Sequence, residues 1–424
     1  MSQALDVAVI GAGYVGIPHA ATFAEAGCSV LIVDVVPELV ARLNRGESHI
    51  EDVSSERLAP LVESGKLRAT TDYGDVADCN AVVIAVPTPL SRQREPDLSI
   101  VESAARSLAQ VLRKGQLVVL ESTTWPGTTR ELLQPILETS GLKAGEDFHL
   151  AFAPERVDPG RTDWTTKTTP KVVGGITPEC TERAAELYGR AIDTVHRVST
   201  PEAAELTKLL ENTFRAVNIA LVNELAVLCD RMGIDIWEVV GAAATKPFGF
   251  MPFNPGPGLG GHCIPVDPFY LTWKAREYGF HTEFIELAGK VNEEMPYFCR
   301  SLISQALNHG AQKAMKGSRI LVLGVAYKPD IGDVRESPAL KIISLLRNAG
   351  ADISFHDPHV ASIDVDGSEL SSTAYEPGAY DCVVIVTNHS DFDYDALVDE
   401  AKLVVDLRNA TGVKGTVAEN VFKL

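Results

Sequence analysis

The sequence has too little positive charge for a protein that binds nucleic acid. Its 424 residues contain 38 Lys and Arg against 57 Asp and Glu, which gives a formal net charge of −19. A surface of that sign repels nucleic acid and anionic membranes, so neither is expected as a partner. An anionic small ligand is still compatible with it, provided that local cations or helix N-termini bind the ligand.

Cysteine is scarce and scattered. The seven cysteines never form a Cys-x-x-Cys pair, so neither a zinc site nor a disulfide framework is predicted. Reduced thiols in a cytoplasmic protein are the simplest interpretation. No Lys or Arg precedes Arg42, so a secretory signal is not expected either.

The chain also lacks an unbroken apolar run long enough to span a membrane. Its most apolar stretch, 7–36, favours a strand, a turn, a helix and a second strand, because turn-forming and polar residues interrupt it: Gly11, Gly13, Gly16, Pro18, His19 and Glu25. With 424 residues the chain is too long for one ordinary core, which predicts two or three domains.

The first strand and the turn after it predict a dinucleotide site. Asp6–Ile10 reads as a buried strand, and a Gly-x-Gly-x-x-Gly turn (11–16) opens an Ala-rich helix. These glycines permit a tight turn, close approach of the backbone to a pyrophosphate, and helix–strand packing. Asp34 ends the second strand, where a carboxylate accepts hydrogen bonds from ribose hydroxyls. No Arg follows it closely, so NAD is predicted rather than NADP.

Further buried strands end in polar residues. Thr88, Thr123 and Glu155 follow the predicted strands 80–86, 116–121 and 148–152. An open α/β sheet binds ligands at the carboxyl ends of its strands, so these residues are candidates for contact with the cofactor or the reacting centre. The alternative is ordinary turn chemistry.

A long amphipathic helix is predicted over 201–232. Lys208 and Asn212 are four residues apart and therefore share one face. A solvated stripe of charge is the alternative interpretation of that face. A helix of this length suits a connector between domains or a dimer interface.

The segment 250–268 is rich in Gly and Pro and is predicted to be a loop. Cys263 lies in it without apolar neighbours at regular spacing, and Asp267 follows four residues later. A thiol needs a cation or base nearby to act as a nucleophile, and Lys208 could supply one if its helix packs under the loop. Neighbouring side chains on an extended segment point apart, which favours a structural role for His262.

A second α/β unit is predicted after residue 314. Its strands are 319–324, 353–356, 382–386 and 403–406, and Ser337 and Pro338 start a helix. No glycine fingerprint follows the first strand, so a second dinucleotide is not expected here. Lys328 and Arg335 in the long first loop suit phosphate contacts, although a solvated loop is the alternative.

Together these motifs resemble the nucleotide-sugar 6-dehydrogenases, the family of UDP-glucose and GDP-mannose dehydrogenases. The resemblance covers essentially the whole chain. Besides the glycine fingerprint, the motifs are Ser122-Thr with Pro126-Gly-Thr, Ala153-Pro-Glu-Arg, Thr207-Lys-Leu-Leu-Glu-Asn212, Gly260-Gly-His-Cys-Ile-Pro-Val-Asp267, Lys328-Pro-Asp and Arg335-Glu-Ser-Pro.

The resemblance implies two Rossmann-like parallel-sheet domains joined by a central long-helix dimerisation region. The expected boundaries are 1–199 for NAD, 200–314 for the centre with the cysteine loop, and 315–424 for the nucleotide sugar. A homodimer or higher homo-oligomer is implied.

The family roles carry over residue by residue. Cys263 would attack a C6 aldehyde, and the thiohemiacetal would lose a second hydride to give a thioester that water hydrolyses. Lys208 would stabilise oxyanions, Asn212 would complete the polar cluster, and Asp267, Glu155 and Thr123 would handle the water. Thr124 fits the place of Thr123 equally well.

The implied binding residues fall in two sets. The expected cofactor contacts are Gly11, Gly13, Tyr14, Val15, Gly16, Asp34, Thr88, Thr123, Glu155 and Arg335, the last facing either the cofactor or a neighbouring active site. The expected substrate contacts are Glu155, Arg156, Lys208, Asn212, Phe253, Asn254, Gly260, Lys328 and Arg408.

For the substrate, Val266 stands where UDP-glucose dehydrogenases typically have Lys. The cysteine motif and Lys246-Pro-Phe-Gly-Phe look like dehydrogenases of UDP-N-acetylhexosamines, serving surface polysaccharide biosynthesis. UDP-N-acetylglucosamine is favoured, then UDP-N-acetylmannosamine or UDP-glucose. Two other classes stay open: a two-electron NAD dehydrogenase of the hydroxyacid type, and a non-catalytic nucleotide-sugar sensor.

Overall fold

The apolar N-terminal run forms the centre of an eight-stranded sheet. The computed structural model describes residues 5–50, 52–91, 94–158 and 163–424. The strand order is β3-β2-β1-β4-β5-β6-β7-β8. The strands are β1 (Leu5–Ile10), β2 (Val30–Val33), β3 (Leu67–Thr70), β4 (Cys79–Ile84), β5 (Leu117–Leu120), β6 (His149–Phe152), β7 (Lys171–Gly175) and β8 (Val195–Arg197).

The pairing of this first sheet is parallel except between β6 and β7, which run antiparallel. Every side chain of β2 and β5 is buried, as expected of a sheet covered on both faces. The predicted parallel α/β domain is confirmed. The sequence did not reveal β3, β7 and β8, and β3 and β8 present exposed side chains that weaken their apolar pattern.

The second sheet has five parallel strands in the order β10-β9-β13-β14-β15. Its strands are β9 (Arg319–Leu323), β10 (Asp352–His356), β13 (Cys382–Ile385), β14 (Val404–Asp406) and β15 (Val421–Lys423), while β11 (Ser362–Val365) and β12 (Ser368–Ser371) form a separate hairpin. The second parallel α/β unit is therefore confirmed, and β11, β12 and β15 are additional strands.

The helices follow the predicted alternation with the strands. They are α1 (Gly16–Glu25), α2 (Pro37–Asn44), α3 (Ser55–Glu63), α4 (Ser99–Ala109), α5 (Gln134–Glu138), α6 (Pro178–Gly189), α7 (Pro201–Met232), α8 (Ile236–Ala244), α9 (Asp267–Ala275), α10 (Glu283–Gly310), α11 (Pro338–Asn348), α12 (Tyr394–Glu400) and α13 (Gly412–Val417). The predicted N-cap of α11 is present, because Ser337 accepts a hydrogen bond from the Ala339 N–H. Within the described ranges, no helix is both long and apolar enough to cross a membrane.

The chain forms two compact units whose division falls within α7 and α9. The first unit contains residues through Glu211 together with Phe269–Phe280, and the second contains Asn212–Pro268 and His281–Leu424. The division at residues 199 and 314 stays a prediction.

A pair of buried amides anchors the start of the Gly/Pro loop in the second unit. Asn223 accepts a hydrogen bond from the Gly256 N–H at 2.9 Å and donates to Asn292 Oδ1 at 2.9 Å. Asn292 in turn donates to the Ala216 carbonyl at 3.1 Å. Both side chains are buried, so each amide group depends on these partners. The loop is thereby attached to α7 and α10.

Replacing Asn223 by Ala should destabilise the second unit. It leaves the Gly256 N–H and the Asn292 carbonyl oxygen without these partners, and each unsatisfied buried group costs about 1–3 kcal/mol. Urea unfolding measures the loss. Asn218→Ala on the same helix removes only a hydrogen bond to the Phe214 carbonyl near the surface and should cost less. Equal losses in the two variants would contradict the anchoring role.

Candidate active site

The glycine turn after β1 has the space that a dinucleotide requires. Gly11 has φ +106°, and a Cβ there would lie 2.4 Å from the Ala85 carbonyl oxygen. Gly13 has no heavy atom within 4 Å of a Cβ position, so its backbone is open to a ligand. A Cβ on Gly16 would lie 1.9 Å from the Gly11 carbonyl oxygen. The residues therefore fit the pyrophosphate of NAD at the start of α1.

Asp34 supports the same turn from the end of β2. One carboxylate oxygen accepts a hydrogen bond from the Ala12 N–H at 2.8 Å, and the other accepts from the Val36 N–H at 3.0 Å. Its side chain is half-buried, so lone pairs are left for a ribose. In the glycine turn itself, Tyr14 is 39% exposed and Val15 is half-buried.

The loops after β4 and β5 differ in how their threonines face solvent. Thr88 is buried, and its carbonyl accepts a hydrogen bond from the Tyr270 hydroxyl at 2.9 Å. Thr123 is half-buried, whereas Thr124 is 1% exposed and its hydroxyl has no hydrogen-bond partner within the described residues. The accessible side chain is therefore Thr123, which favours it over Thr124 as the predicted site residue.

Glu155 and Lys208 meet in the first unit. The Lys208 ammonium donates a hydrogen bond to the Glu155 main-chain carbonyl at 2.6 Å, and the lysine is only 7% exposed. Arg156 is held beside them, because its guanidinium pairs with both oxygens of Glu211 at 2.6 and 3.2 Å and donates to the Pro170 carbonyl. The predicted residues of this loop and of α7 are thus adjacent.

The Glu155 carboxylate faces a buried group of charges rather than open solvent. One oxygen accepts a hydrogen bond from the Val157 N–H at 2.6 Å, and the other lies 3.2 Å from Lys171 Nζ and 3.0 Å from His19 Nε2. Burial alone would raise the pKa of this carboxyl, but Lys171 and His19 hold that pKa well below its ordinary value. Its predicted part in handling the water stays a prediction.

The cysteine loop of the second unit ends in a turn. The N–H groups of Val266 and Asp267 both donate to the Cys263 carbonyl, at 3.1 and 2.8 Å. Our premise of an extended segment around His262 is therefore wrong, because the prolines and glycines bend the chain there. Burial and the nearby Arg335 lower the pKa of His262, which favours its neutral form.

Cys263 differs from the other six cysteines in its exposure. It is half-buried, whereas the remaining six are buried. Burial raises the pKa of Cys79 and of Cys299 to about 12, so these thiols stay protonated at neutral pH. A nucleophilic cysteine must be accessible to its substrate and must ionise to the thiolate, and Cys263 meets the first requirement.

Asn212 and Asp267 are joined directly beside this turn. The Asn212 amide nitrogen donates a hydrogen bond to the Asp267 carboxylate, and both side chains are buried, at 6% and 2% exposure. Asp267 lies in the first turn of α9, where helix N–H groups favour a negative charge. The turn, the carboxylate and the amide thus form one group in the second unit.

The cysteine loop also packs on the long loop after β9. The Gly261 N–H donates to the Arg335 carbonyl at 3.0 Å, and a Cβ on Gly260 would lie 2.6 Å from the Tyr327 Cβ. Only glycine at position 260 lets the two loops come this close. Lys328, which follows Tyr327, is half-buried and lies in the loop that contacts the cysteine segment.

The other predicted substrate contacts differ in accessibility. Asn254 is exposed, and the half-buried Phe253 ring lies 5.8 Å from the Phe214 ring. Arg408 donates from Nε to the Val386 carbonyl at 2.8 Å, and burial lowers the pKa of its guanidinium to about 10. It therefore stays charged at neutral pH. The Arg335 guanidinium pairs with Asp333 at 2.6 Å.

The second domain has an acidic residue, Asp357, at the place that Asp34 takes in the first, but its carboxylate has a different partner. Asp357 follows β10 as Asp34 follows β2, and it likewise accepts hydrogen bonds from the turn after the first strand, at Val325 and Ala326. The buried His389 ring, however, lies against the same carboxylate at 3.0 Å. That the second domain does not bind a dinucleotide in the manner of the first stays a prediction.

Several residues of the site were not predicted from the sequence. His19, Glu121, Lys171 and Tyr188 join Glu155 in the first unit, and Glu205 accepts hydrogen bonds from Gly127 and Thr129 at 2.6–2.9 Å. The one signal was a charged or polar residue at the border of an apolar run, as at Glu121 and Lys171. Their partners lie far away in the sequence, so the pairing could not be read from it.

Fold and site together are those of a dehydrogenase with separate nucleotide-binding domains, and the comparison with known proteins agrees. Models of the UDP-glucose/GDP-mannose dehydrogenase family match the chain with their NAD binding domain at 5–192, central domain at 202–294 and UDP binding domain at 321–413. The chain belongs to this family and is an NAD-dependent UDP-sugar dehydrogenase.

Individual relatives share the whole length. The chain is 37% identical over 412 residues to UDP-N-acetyl-D-mannosamine dehydrogenase of Pyrococcus horikoshii, covering 96% of each chain. It is 37% identical over 393 residues to UDP-N-acetyl-D-glucosamine 6-dehydrogenase of Pseudomonas aeruginosa, covering 92% of this chain and 91% of the relative. The solved UDP-glucose dehydrogenase of Pyrobaculum islandicum superimposes with a TM-score of 0.86 at 30% identity, covering 99% and 97%.

Replacing Asn212 by Asp should move the pH dependence of activity. Two carboxyl groups at hydrogen-bond distance cannot both ionise readily, so the pair takes up a proton at higher pH than a single carboxyl. We expect NADH formation from the UDP-sugar to fall about tenfold or more at pH 7 and to recover as the pH rises.

Asn212→Ser is the matched control, because it removes the amide without adding a charge. It should lower activity and leave the acid limb of the kcat–pH profile in place. An Asn212→Asp profile identical to that of the wild type would show that Asp267 is not needed as a carboxylate.

Proposed function

We propose that this protein oxidises the C6 hydroxyl of a UDP-N-acetylhexosamine to the carboxylate in two NAD-dependent steps. UDP-N-acetyl-D-glucosamine is the first candidate and UDP-N-acetylmannosamine the second. One observation carries the proposal: a partly exposed Cys263 lies on a turn that leads directly into the buried Asp267–Asn212 pair. A simple alcohol dehydrogenase has no need of a thiol in that position.

The thiol divides the oxidation into easier steps. The first oxidation gives a C6 aldehyde, and Cys263 adds to it to form a thiohemiacetal. Loss of a second hydride leaves a thioester, which water hydrolyses to the carboxylate and the free thiol. NAD bound in the first domain accepts one hydride in each oxidation. The overall change consumes two NAD and one water for each UDP-sugar.

The polar residues would serve the charges that develop on the way. We propose that the Lys208 ammonium stabilises the oxyanion on C6, in the manner of an oxyanion hole. Asp267 would accept the proton of the hydrolytic water, with Asn212 holding its carboxylate in place. Thr123 is the proposed hydroxyl beside that water. Lys328 and Arg408, both cationic, would bind the UDP phosphates.

The acetamido sugar is favoured by the relatives of this chain. Curated relatives at equal identity act on UDP-N-acetyl-D-mannosamine and UDP-N-acetyl-D-glucosamine, so identity does not rank the two epimers. Val266 follows Pro265 where UDP-glucose dehydrogenases typically have Lys, which places UDP-glucose third. A role in surface polysaccharide synthesis follows from such a product.

The stoichiometry of NADH tests the covalent route. Incubation with each UDP-sugar should give two NADH for each sugar and a uronate product. Cys263→Ala should form no carboxylate, because no thioester can form. Cys229→Ala, which truncates a buried cysteine, should keep the stoichiometry of two.

The other outcomes point to the other classes. One NADH for each sugar would indicate a two-electron dehydrogenase of the hydroxyacid type. Binding without NADH would indicate a sensor. Carboxylate produced at the normal rate by Cys263→Ala would exclude the covalent mechanism.

We also propose that the protein is a homodimer or a higher homo-oligomer. In the second unit, α7 and α10 line one groove, whose lining includes the exposed side chains of Leu225, Leu228 and Leu287. The apolar face predicted for α7 is thus partly uncovered: Leu221, Leu225 and Leu228 are all exposed. Exposed apolar side chains gathered in a groove mark an interface, and a second copy of the chain would cover them.

Charge placed in this groove should dissociate the oligomer. Leu225→Glu combined with Leu287→Glu would bury two carboxylates in the interface, so sedimentation should detect a monomer where the wild type sediments as a dimer or larger species. Val413→Glu changes an exposed apolar residue on α13, outside the groove, and should leave assembly unchanged. An oligomer that survives the double substitution would place the interface elsewhere.

A further inference from the structure

Four residues without an assigned role surround the Glu155 side chain in the first unit. They come from four different elements: His19 from α1, Glu121 from the end of β5, Lys171 from the start of β7 and Tyr188 from α6. Each is at most 3% exposed. Charged side chains are seldom buried unless they are paired, so this group requires an explanation.

Lys171 is the centre of the group. Its ammonium lies 2.8 Å from Glu121 Oε1, 3.2 Å from Glu155 Oε2 and 3.1 Å from His19 Nε2. His19 and the two carboxylates offer atoms close enough to hold a metal ion, but the ammonium already contacts all three side chains. A metal site is therefore not the explanation.

The acidic and basic side chains of the group face one another. Burial by itself lowers the pKa of His19, but the carboxylates of Glu121 and Glu155 outweigh that effect and raise it. His19 and Lys171 each lie within 3.5 Å of both acidic side chains. Burial and Glu121 raise the pKa of Tyr188 well above its ordinary value, so its hydroxyl keeps its proton and donates to Glu121 at 2.5 Å.

These contacts bear on what Glu155 does. Its carboxylate oxygens lie within 3.2 Å of nitrogen atoms of Val157, Lys171 and His19. The atom of Glu155 that contacts a proposed catalytic group is instead the main-chain carbonyl, which accepts the hydrogen bond from Lys208.

We infer that His19, Glu121, Lys171 and Tyr188 are positioning residues, which fix Glu155 so that its carbonyl holds the Lys208 ammonium. His19 lies three residues beyond Gly16 on the helix whose start fits the pyrophosphate. The group therefore connects the cofactor-binding helix to the lysine. The inference rests on the proposed role of Lys208.

The test compares His19→Leu with His19→Gln, which retains an amide nitrogen for Glu155. A misplaced ammonium should slow the formation of the first NADH in a single turnover by about 10- to 100-fold. KM for the UDP-sugar should change little, and His19→Gln should recover part of the rate. His149→Leu is the matched control, because His149 begins β6, the strand that leads to Glu155, and its ring faces the Cys180 thiol.

Glu155→Gln tests positioning at the anchored residue itself and covers the case in which His19→Leu does not fold. Positioning predicts a slow first NADH, whatever the rate of the later hydrolysis, because the amide lacks the charge that Lys171 and His19 hold in place. A first NADH formed at the normal rate in Glu155→Gln would overturn the inference. An unchanged first turnover in His19→Leu, or an equal loss in His149→Leu, would overturn it as well.

Failure of the proposed function would be recognised separately. It would appear in the wild-type enzyme as fewer than two NADH for each UDP-sugar, before any variant is compared.

Discussion

A buried ammonium must give its protons to acceptors that are held in place, because an unpaired charge inside a protein is costly. Lys208 donates to the Glu155 carbonyl, and a buried group of charged side chains in the first unit binds the carboxylate of the same residue. The Glu155 side chain is bound on one side by its own loop and on the other by Lys171 and His19. Charged residues near the ends of strands that are distant in sequence thereby contact one another.

In the second unit, neutral hydrogen-bonding groups hold the cysteine loop in place. The turn at Cys263 has no regular secondary structure of its own, so its shape depends on attachments at both ends. Asn223 binds the loop at Gly256, and Arg335 binds it at Gly261. Asp267 then begins α9 directly after the turn. Prolines limit the remaining freedom of the chain, because each fixes its own φ angle.

The sequence was most informative where local rules decide the structure. The glycine turn, Asp34, the bounds of α7 and the cap at Ser337 follow from short-range sterics and hydrogen bonding. The pairing of Lys208 with a carbonyl, and of Lys171 with Glu121, depends on which strands become neighbours, and no local pattern encodes that. The antiparallel β7 and the short edge strand β8 were missed for the same reason.

The premise was wrong where a local rule was applied to a backbone conformation that the chain does not adopt. His262 was placed on an extended segment, whereas the chain turns at Cys263 and two N–H groups converge on one carbonyl. The apolar stripe of α7 was recognised correctly, but part of it faces solvent in the single chain. Apolar residues at helical spacing identify a face of the helix that must be buried, but they do not show which molecule buries it.

The pairing of Asp357 with His389 has a consequence for the redesign of the second domain. Both halves place an acid directly after a strand, where it accepts hydrogen bonds from the turn that follows the neighbouring strand. In the second domain the His389 ring lies against that carboxylate, and a long loop stands between β9 and α11 where the first domain has its glycine turn. Anyone who wished to give the second domain a dinucleotide would therefore have to remove the histidine and rebuild the loop as a glycine turn.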